Sequence, residues 1–442
     1  MVKGAAKFSV RMFLMVLTAA LLPSTGWAEA TAAATKIDTG DTAWILISTA
    51  LVMLMTPGLA MFYGGMVRRK NVLGTVMHSF IAIALVSVQW VLIGYSLAFG
   101  PDVRGLIGSL DWAGLTGVGT APNADYAATV PHLAFMAYQM MFAVITPALI
   151  SGAFAERMKF SSYLVFSLVW TTIVYDPVAH WVWGAGGWMK GLGVLDFAGG
   201  IVVHATSGFS ALAAALYIGH RKGFLHESMP PHDLPVTVFG AGILWFGWFG
   251  FNAGSALTSG ELATSAFVAT HLAAVAATLT WTFVEWYHRG KPTMFGAATG
   301  AIAGLATITP AAGFVGPMPA MAIGVAAGLL CYTALNAKVK FRYDDSLDAF
   351  GVHGVGGTLG TIMAGVFAST AINSGGANGL LFGNPKQLAI QIGAVVLVAL
   401  YSFGVSMALF KVIDLVMGLR VGKDEEIEGL DISQHGEAGY TH

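Results

Sequence analysis

From Asp41 onward, apolar stretches recur along the chain with only short polar breaks between them. Each is about 20 residues long, the length an α-helix needs to cross a bilayer at roughly 1.5 Å per residue. The pattern predicts eleven spans. They begin near Ala43, Val72, Pro131, Phe160, Phe197, Leu234, Ala263, Met294, Met318, Ala349 and Lys386. No break is large enough for a second folded domain. The chain therefore reads as an all-α polytopic membrane protein over residues 41–418, followed by a polar tail, 419–442, that carries Lys423-Asp424-Glu425-Glu426 and reads as cytosolic and partly flexible.

The first residues form a separate object. Lys3, Lys7 and Arg11 precede the apolar run Met12–Leu22, and Gly26-Trp27-Ala28 supplies small residues at its exit. This is the layout of a signal peptide over residues 1–28, and the run is short for a membrane helix. Cleavage after Ala28 places the mature N-terminus outside the cytoplasmic membrane of a bacterium.

Charge supports the same topology. With the N-terminus outside, the inner loops and tail hold fifteen Lys and Arg residues, among them Arg68-Arg69-Lys70, Arg157, Arg221 and Lys338, against four outside: Lys36, Arg104, Lys190 and Lys386. That is a positive-inside bias, and an odd number of spans delivers it consistently. Composition agrees: 56% of residues are hydrophobic and 10% charged, against roughly 25% charged in soluble domains. A net charge of -1 excludes a nucleic-acid role. The single cysteine, Cys331, sits in an apolar run and reads as a packing residue.

The spans repeat weakly. Span five carries Asp196, His204 eight residues on and Gly208 four further. Span ten carries Asp345, His353 and Gly357 at the same spacing. The end of span one, Phe62-Tyr63-Gly64-Gly65, resembles that of span six, Phe251-Asn252-Ala253-Gly254. Members of each pair enter the membrane from opposite sides, which points to two inverted five-helix halves plus a final helix, with a pathway between the halves. Chance matching between glycine-rich helices is the competing explanation.

Ionisable groups inside spans are costly and mark function by default. His204 and His353 occupy matched positions and would meet between the halves as a polar pair in an apolar lumen. His78, His180 and His271 lack symmetric mates and read as structural histidines. No histidine pair has the spacing of a helical zinc motif, so no metal site or cofactor is expected. Asp196 opens span five, where it either caps the helix or draws cations by its field. Asp344, Asp345 and Asp348 read as capping or loop-pairing groups. Trp181, Trp183 and Trp188 crowd the outer end of span four, and Trp245, Trp248, Phe249 and Phe251 line span six. A desolvated cation over such a ring gains about 2 kcal/mol, and a hydroxyl such as Ser255 replaces a lost water hydrogen bond. Composition does not say which cation.

The string Gly247-Trp248-Phe249-Gly250-Phe251-Asn252-Ala253-Gly254-Ser255 resembles the ammonium transporter (Amt/Mep/Rh) family. So do Asp196-Phe197-Ala198-Gly199-Gly200 leading to His204, Phe350-Gly351-Val352-His353-Gly354, and Ala155-Glu156-Arg157. The likeness runs from about Thr42 to the end of the chain. It implies an outer ammonium site at Phe142, Trp183 and Ser255, and a paired phenyl gate of Phe142 and Phe251. It also implies pore histidines at His204 and His353 and a structural or electrostatic acid at Asp196. It implies a homotrimer with one pore per subunit, and a PII-type signal protein docking where the polar tail lies. Tyr138 stands where a relative has phenylalanine and His271 where it has an aliphatic residue. Both are expected to lie clear of the matched site residues.

Together these readings predict ammonium or ammonia transport across the bacterial cytoplasmic membrane, with no enzymatic role. The alternatives are an ammonium sensor acting through a partner protein, a membrane-embedded enzyme using the histidine pair, and a urea or methylamine pore.

Overall fold

A computed structural model describes residues 36–440. The expected signal peptide lies outside them. Among the described residues, ten helices are long and apolar enough to span a bilayer: α1 (Thr39–Met66), α2 (Arg69–Phe99), α3 (His132–Phe154), α4 (Phe160–Gly191), α5 (Gly200–Ile218), α6 (Leu234–Ala256), α7 (Glu261–Arg289), α9 (Pro317–Phe341), α10 (Phe350–Phe367) and α11 (Pro385–Met417). Between α7 and α9 lies the shorter apolar α8 (Met294–Ile308). Its N-terminus is capped by Thr293, whose Oγ1 accepts from the Gly296 amide at 2.8 Å. Irregular chain after α8 stays buried through Val315, so α8 completes the eleven-segment pattern although its regular part is short.

The distribution of polarity is that of a membrane protein. Large apolar side chains such as Phe80, Phe239 and Leu400 face outward, while polar groups such as Thr56, Ser210, Thr307 and Gln391 are buried. Many serine and threonine hydroxyls inside the bundle bond to carbonyls one turn back, as Thr206 does to Val202 at 2.6 Å, so the backbone absorbs much of their polarity; those of Thr56 and Thr307 have no partner among the described residues. Two short antiparallel hairpins, β1–β2 (Asp102–Val103 with Ile107–Gly108) and β3–β4 (Pro122–Asn123 with Ala127–Pro131), fold over one end between α2 and α3.

The two halves share a device at α5 and α10. Each helix opens with a π-helical turn, Gly200–Ala205 and Phe350–Gly354, and each turn carries a histidine. Such turns shift the helical register locally and cluster at functional sites. A carboxylate precedes each turn: Asp345 accepts from the amides of Ala349 and Phe350 at 3.1 and 2.8 Å, as Asp196 does at the start of α5. The capping expected of Asp345 is therefore present, and Asp344 and Asp348 pair with Arg221 and Lys338.

At the opposite end from the hairpins the basic loops knit together. Glu156 bonds Arg68 at 2.7 Å and Arg221 at 3.5 Å, and Arg221 bonds Asp344 at 2.9 Å. Burial pushes the carboxyls of Glu156 and Asp344 up, but the neighbouring guanidinium groups outweigh it and hold both below their ordinary range. Arg157 is fully buried, donates to the carbonyls of Ala153, Gly219 and Asp344, and is drawn down to about 10 by that burial. The tail, partly flexible by its composition, is anchored to the bundle at several points. Leu419, Val421, Glu426, Leu430 and Asp431 are buried. Asp431 accepts from the Gly74 amide at 2.9 Å, Glu426 from the Lys222 amide at 2.7 Å, and Arg420 grips the carbonyls of Ile218 and His220. Its charges find partners in loops far away in sequence, which composition does not reveal.

Candidate functional site

The path begins in a cavity of about 190 Å³ at the hairpin end, lined in part by Phe142, Trp183 and Ser255. Trp183 is the last residue of a regular helical stretch in α4, and its indole Nε1 donates to the Asp196 carbonyl at 2.9 Å. That bond fixes the ring, which meets Phe142 at 6.0 Å in a T-shaped arrangement. Ser255 closes α6 and donates its hydroxyl proton to the Phe251 carbonyl at 2.9 Å, which leaves its oxygen free to accept. Trp248, Phe251 and Ser255 follow one another at three and four residues, so one stripe of α6 serves the path. Lys190 and Asp125 stand on the same cavity wall. Lys190 donates to the Trp183 carbonyl at 3.2 Å and lies 5.9 Å from the centroid of the Tyr126 ring.

Tyr138 corrects an expectation. It does touch the matched residues: its ring packs against Phe142 at 5.0 Å, and its hydroxyl lies 3.2 Å from Ser255 Oγ. The same hydroxyl reaches the carbonyls of Gly250 and Phe251 at 2.8 and 2.9 Å. It thereby holds the end of α6 in place, a duty for which phenylalanine has no polar atom. His271 lies clear of the path, as expected, but it is exposed on α7 beside Trp245 and Phe249 and is not the buried structural histidine its place in a span suggested.

Below the cavity Phe142 and Phe251 close on each other with centroids 4.3 Å apart, each 1% exposed. Beyond them lies an enclosed lumen of about 10 Å³, walled by Leu59, Ile145, Val203, Ile302 and Trp248 around His204 and His353. That volume sits at the lower limit for a single water. The imidazoles are nearly parallel, 5.2 Å between centroids, with Nδ1 to Nδ1 at 3.2 Å. A bond between two Nδ1 atoms requires one ring to donate and the other to accept, so the pair shares a single Nδ1 proton. His204 Nε2 is buried with no protein partner. Trp248 stacks on His204 at 5.5 Å, and its indole donates to Thr309 at 2.9 Å.

Asp196 is 6% exposed, and its two oxygens accept four amides: Gly199, Gly200, Ile201 and Val202, at 2.6–3.1 Å. Gly199 has φ 117°, a conformation natural to glycine, which turns the chain so that these amides converge. Four donors suit an ionised carboxylate. The same residue, through its carbonyl, holds Trp183. The acid is thus a structural keystone of the aromatic wall.

The other candidates separate cleanly. His180 lies between the Ala98 carbonyl (3.0 Å) and Asp102 (2.9 Å), and His78 packs on Tyr163 at 4.5 Å. Trp181 donates to the Leu106 carbonyl and Trp188 packs on it, so neither lines the path. Phe249 stacks on Phe267 at 3.9 Å, on the far side of α6.

The sequence profile of the Ammonium Transporter Family matches residues 43–440. The chain belongs to that family. An ammonium transporter of Bacillus subtilis is 53% identical over 402 residues, covering 91% of this chain and 98% of the relative. The crystal structure of Candida albicans Mep2 superposes with a TM-score of 0.85 at 36% identity, covering 91% of each chain. A structure described as a sensor Amt protein superposes with a TM-score of 0.82 at 30% identity, covering 90% of this chain and 98% of the other. The family match, residues 43–440, takes in the segments that carry the path described above.

Proposed function

We propose that the protein moves ammonium across the bacterial cytoplasmic membrane by separating it into ammonia and a proton. The observation that carries this reading is the sequence of environments along one path: an aromatic cavity with free oxygen acceptors, a closed phenyl pair, then a nearly dry lumen holding two imidazoles and no carboxylate. An intact ion at the bilayer centre costs at least about 2.5–3.5 kcal/mol. A ring face returns about 2 kcal/mol, enough to collect a cation at the cavity and too little to carry it through the lumen. Ammonium, unlike potassium, can shed a proton and continue as a neutral molecule. An amine with a pKa of about 10.4 in water loses its proton more readily as it is desolvated.

In this mechanism ammonium is recruited by Phe142, Trp183 and Ser255, and Phe142 and Phe251 swing apart to admit it. Ammonia then passes His204, whose Nε2 has no partner, and His353. The shared Nδ1 proton lets the pair relay a proton by switching donor and acceptor. Asp196 holds Trp183 and adds a negative field that favours cations. The signal peptide (1–28) leaves the N-terminus periplasmic, the basic loops and tail (419–442) face the cytosol, and three copies assemble with one pathway each. A PII-type protein docks on that cytosolic face.

The test is current across solid-supported membranes carrying proteoliposomes, pulsed with ammonium or with potassium, for wild type and His353→Ala. An ammonium-specific current that falls at least tenfold in the variant is the expected result. Internal alkalinisation without current overturns the relay and leaves neutral ammonia conduction. Bound ammonium without either signal favours the second reading, a sensor, for which the likeness to the sensor Amt protein is the specific observation.

A further inference from the structure

Ammonium is a tetrahedral donor of four hydrogen bonds with nothing to accept, so a site that strips its water must supply oxygen as well as ring faces. In the outer cavity the residues so far assigned supply one side-chain oxygen, that of Ser255. A second stands in the wall, just behind its surface. Gln139 lies on α3, one turn before Phe142 and therefore on the same face, and it lines the cavity with Phe142, Trp183 and Ser255. Its Oε1 is buried and has no hydrogen-bond partner in the protein. A buried amide oxygen left unpaired costs stability, and such groups call for an explanation. The neighbouring polar groups do not provide one. Tyr138 is committed to the Gly250 and Phe251 carbonyls, the Ser255 proton to Phe251, and Lys190 to the Trp183 carbonyl and the Tyr126 ring.

We infer that Gln139 is a second oxygen ligand of the outer cation site, its amide turning the buried, unpartnered Oε1 into the cavity to accept an N–H of the bound ammonium ion opposite the Ser255 hydroxyl. This deepens the transport reading and rests on it for the identity of the ion. The bond is directional, so it bears on selectivity as well as affinity. Methylammonium offers three N–H groups and a methyl. It can satisfy Ser255 and turn its methyl toward a residue at 139 that no longer accepts, whereas ammonium loses a bond whichever way it turns.

The experiment measures current against concentration for ammonium and methylammonium in wild type, Gln139→Leu and Gln139→Glu, with the melting temperature of each protein read with and without ammonium. Gln139→Leu is expected to raise the half-saturating ammonium concentration about tenfold, equivalent to about 1.4 kcal/mol. The maximal current should stay near wild type and the methylammonium value should shift less. Gln139→Glu keeps an acceptor and is expected to bind ammonium at least as tightly as wild type. An ammonium value within twofold of wild type in Gln139→Leu overturns the inference, as does an equal rise for both cations together with a lower melting temperature. Should Gln139→Leu fail to fold, weaker ammonium binding in Gln139→Glu overturns it as well. If wild type carries no current yet ammonium raises its melting temperature, and Gln139→Leu abolishes that rise, the inference stands while the transport reading falls.

Discussion

Gly208→Ala tests whether the histidine pair depends on direct contact between the backbones of the two halves. Gly208 lies on α5 one turn after His204, against Gly354, the residue that follows His353. A Cβ at 208 would lie 2.0 Å from the Gly354 nitrogen and 2.2 Å from its Cα. Carbon contacts settle near 3.5 Å, so α5 and α10 must separate by about 1.5 Å. The obstructing atoms are main chain, and no rotamer change relieves them. Nδ1 of His204 and His353 are 3.2 Å apart, and a hydrogen bond of this kind weakens sharply beyond 3.5 Å. A small part of the required shift is therefore enough to break the bond.

The cost in stability is that of an overpacked core, about 1–3 kcal/mol, which leaves the protein folded but with the proposed relay interrupted. The expected result is a saturating ammonium current at least tenfold below wild type, measured in the same proteoliposomes and corrected for incorporated protein. Gly242→Ala is the control, since a Cβ there meets nothing within 4 Å, and it should match wild type. Gly357→Ala repeats the test from the other half, where a Cβ would lie 2.8 Å from His204 Cβ. A Gly208→Ala protein that keeps more than half the wild-type current would refute the argument that this contact sets the relay.

Two further perturbations probe the scaffold. Asp196→Asn removes one of two accepting oxygens and leaves two buried amides without partners, at about 1–3 kcal/mol each. Its melting temperature should drop, and the weakened hold on Trp183 should raise the half-saturating ammonium concentration; unchanged melting would show that Asp196 acts by charge alone. Glu156 and Asp344 titrate below their ordinary values, so their pairing stabilises the fold above those values and is lost as pH falls from the ordinary range through the lower folded-state values. Melting temperature in detergent should therefore fall as pH drops through about 4.5 and below, with a shallower slope in Glu156→Gln; identical slopes would contradict the assignment.

How much of this was legible in the chain depends on whether the signal is periodic or rotational. Span lengths, loop charges and the repeated spacing of Asp196, His204 and Gly208 with Asp345, His353 and Gly357 are one-dimensional, and the fold follows them closely. Which side of a helix faces the path is another matter, because each residue turns the chain by about 100°. Trp248 and Phe249 are neighbours in sequence, yet one stacks on a pore histidine and the other on Phe267. Spacing three and four residues from Phe251 would have singled out Trp248 and Ser255, and the same count back from Phe142 leads to Tyr138 and Gln139.

The remaining surprises come from register and from distance in sequence. The π-helical turns at Gly200–Ala205 and Phe350–Gly354 break the 3.6-residue count where it matters, so no helical wheel extended from the body of α5 or α10 aims the histidines correctly. The Tyr138 hydroxyl meets Ser255 across 117 residues, and Asp431 meets Gly74 across 357. Both contacts convert a substitution that looks local into a change at a remote element. Losing the Tyr138 hydroxyl would free the end of α6 that carries Ser255. The acceptor proposed to bind the cation is thus positioned by a tyrosine hydroxyl that a phenylalanine at 138 would not supply.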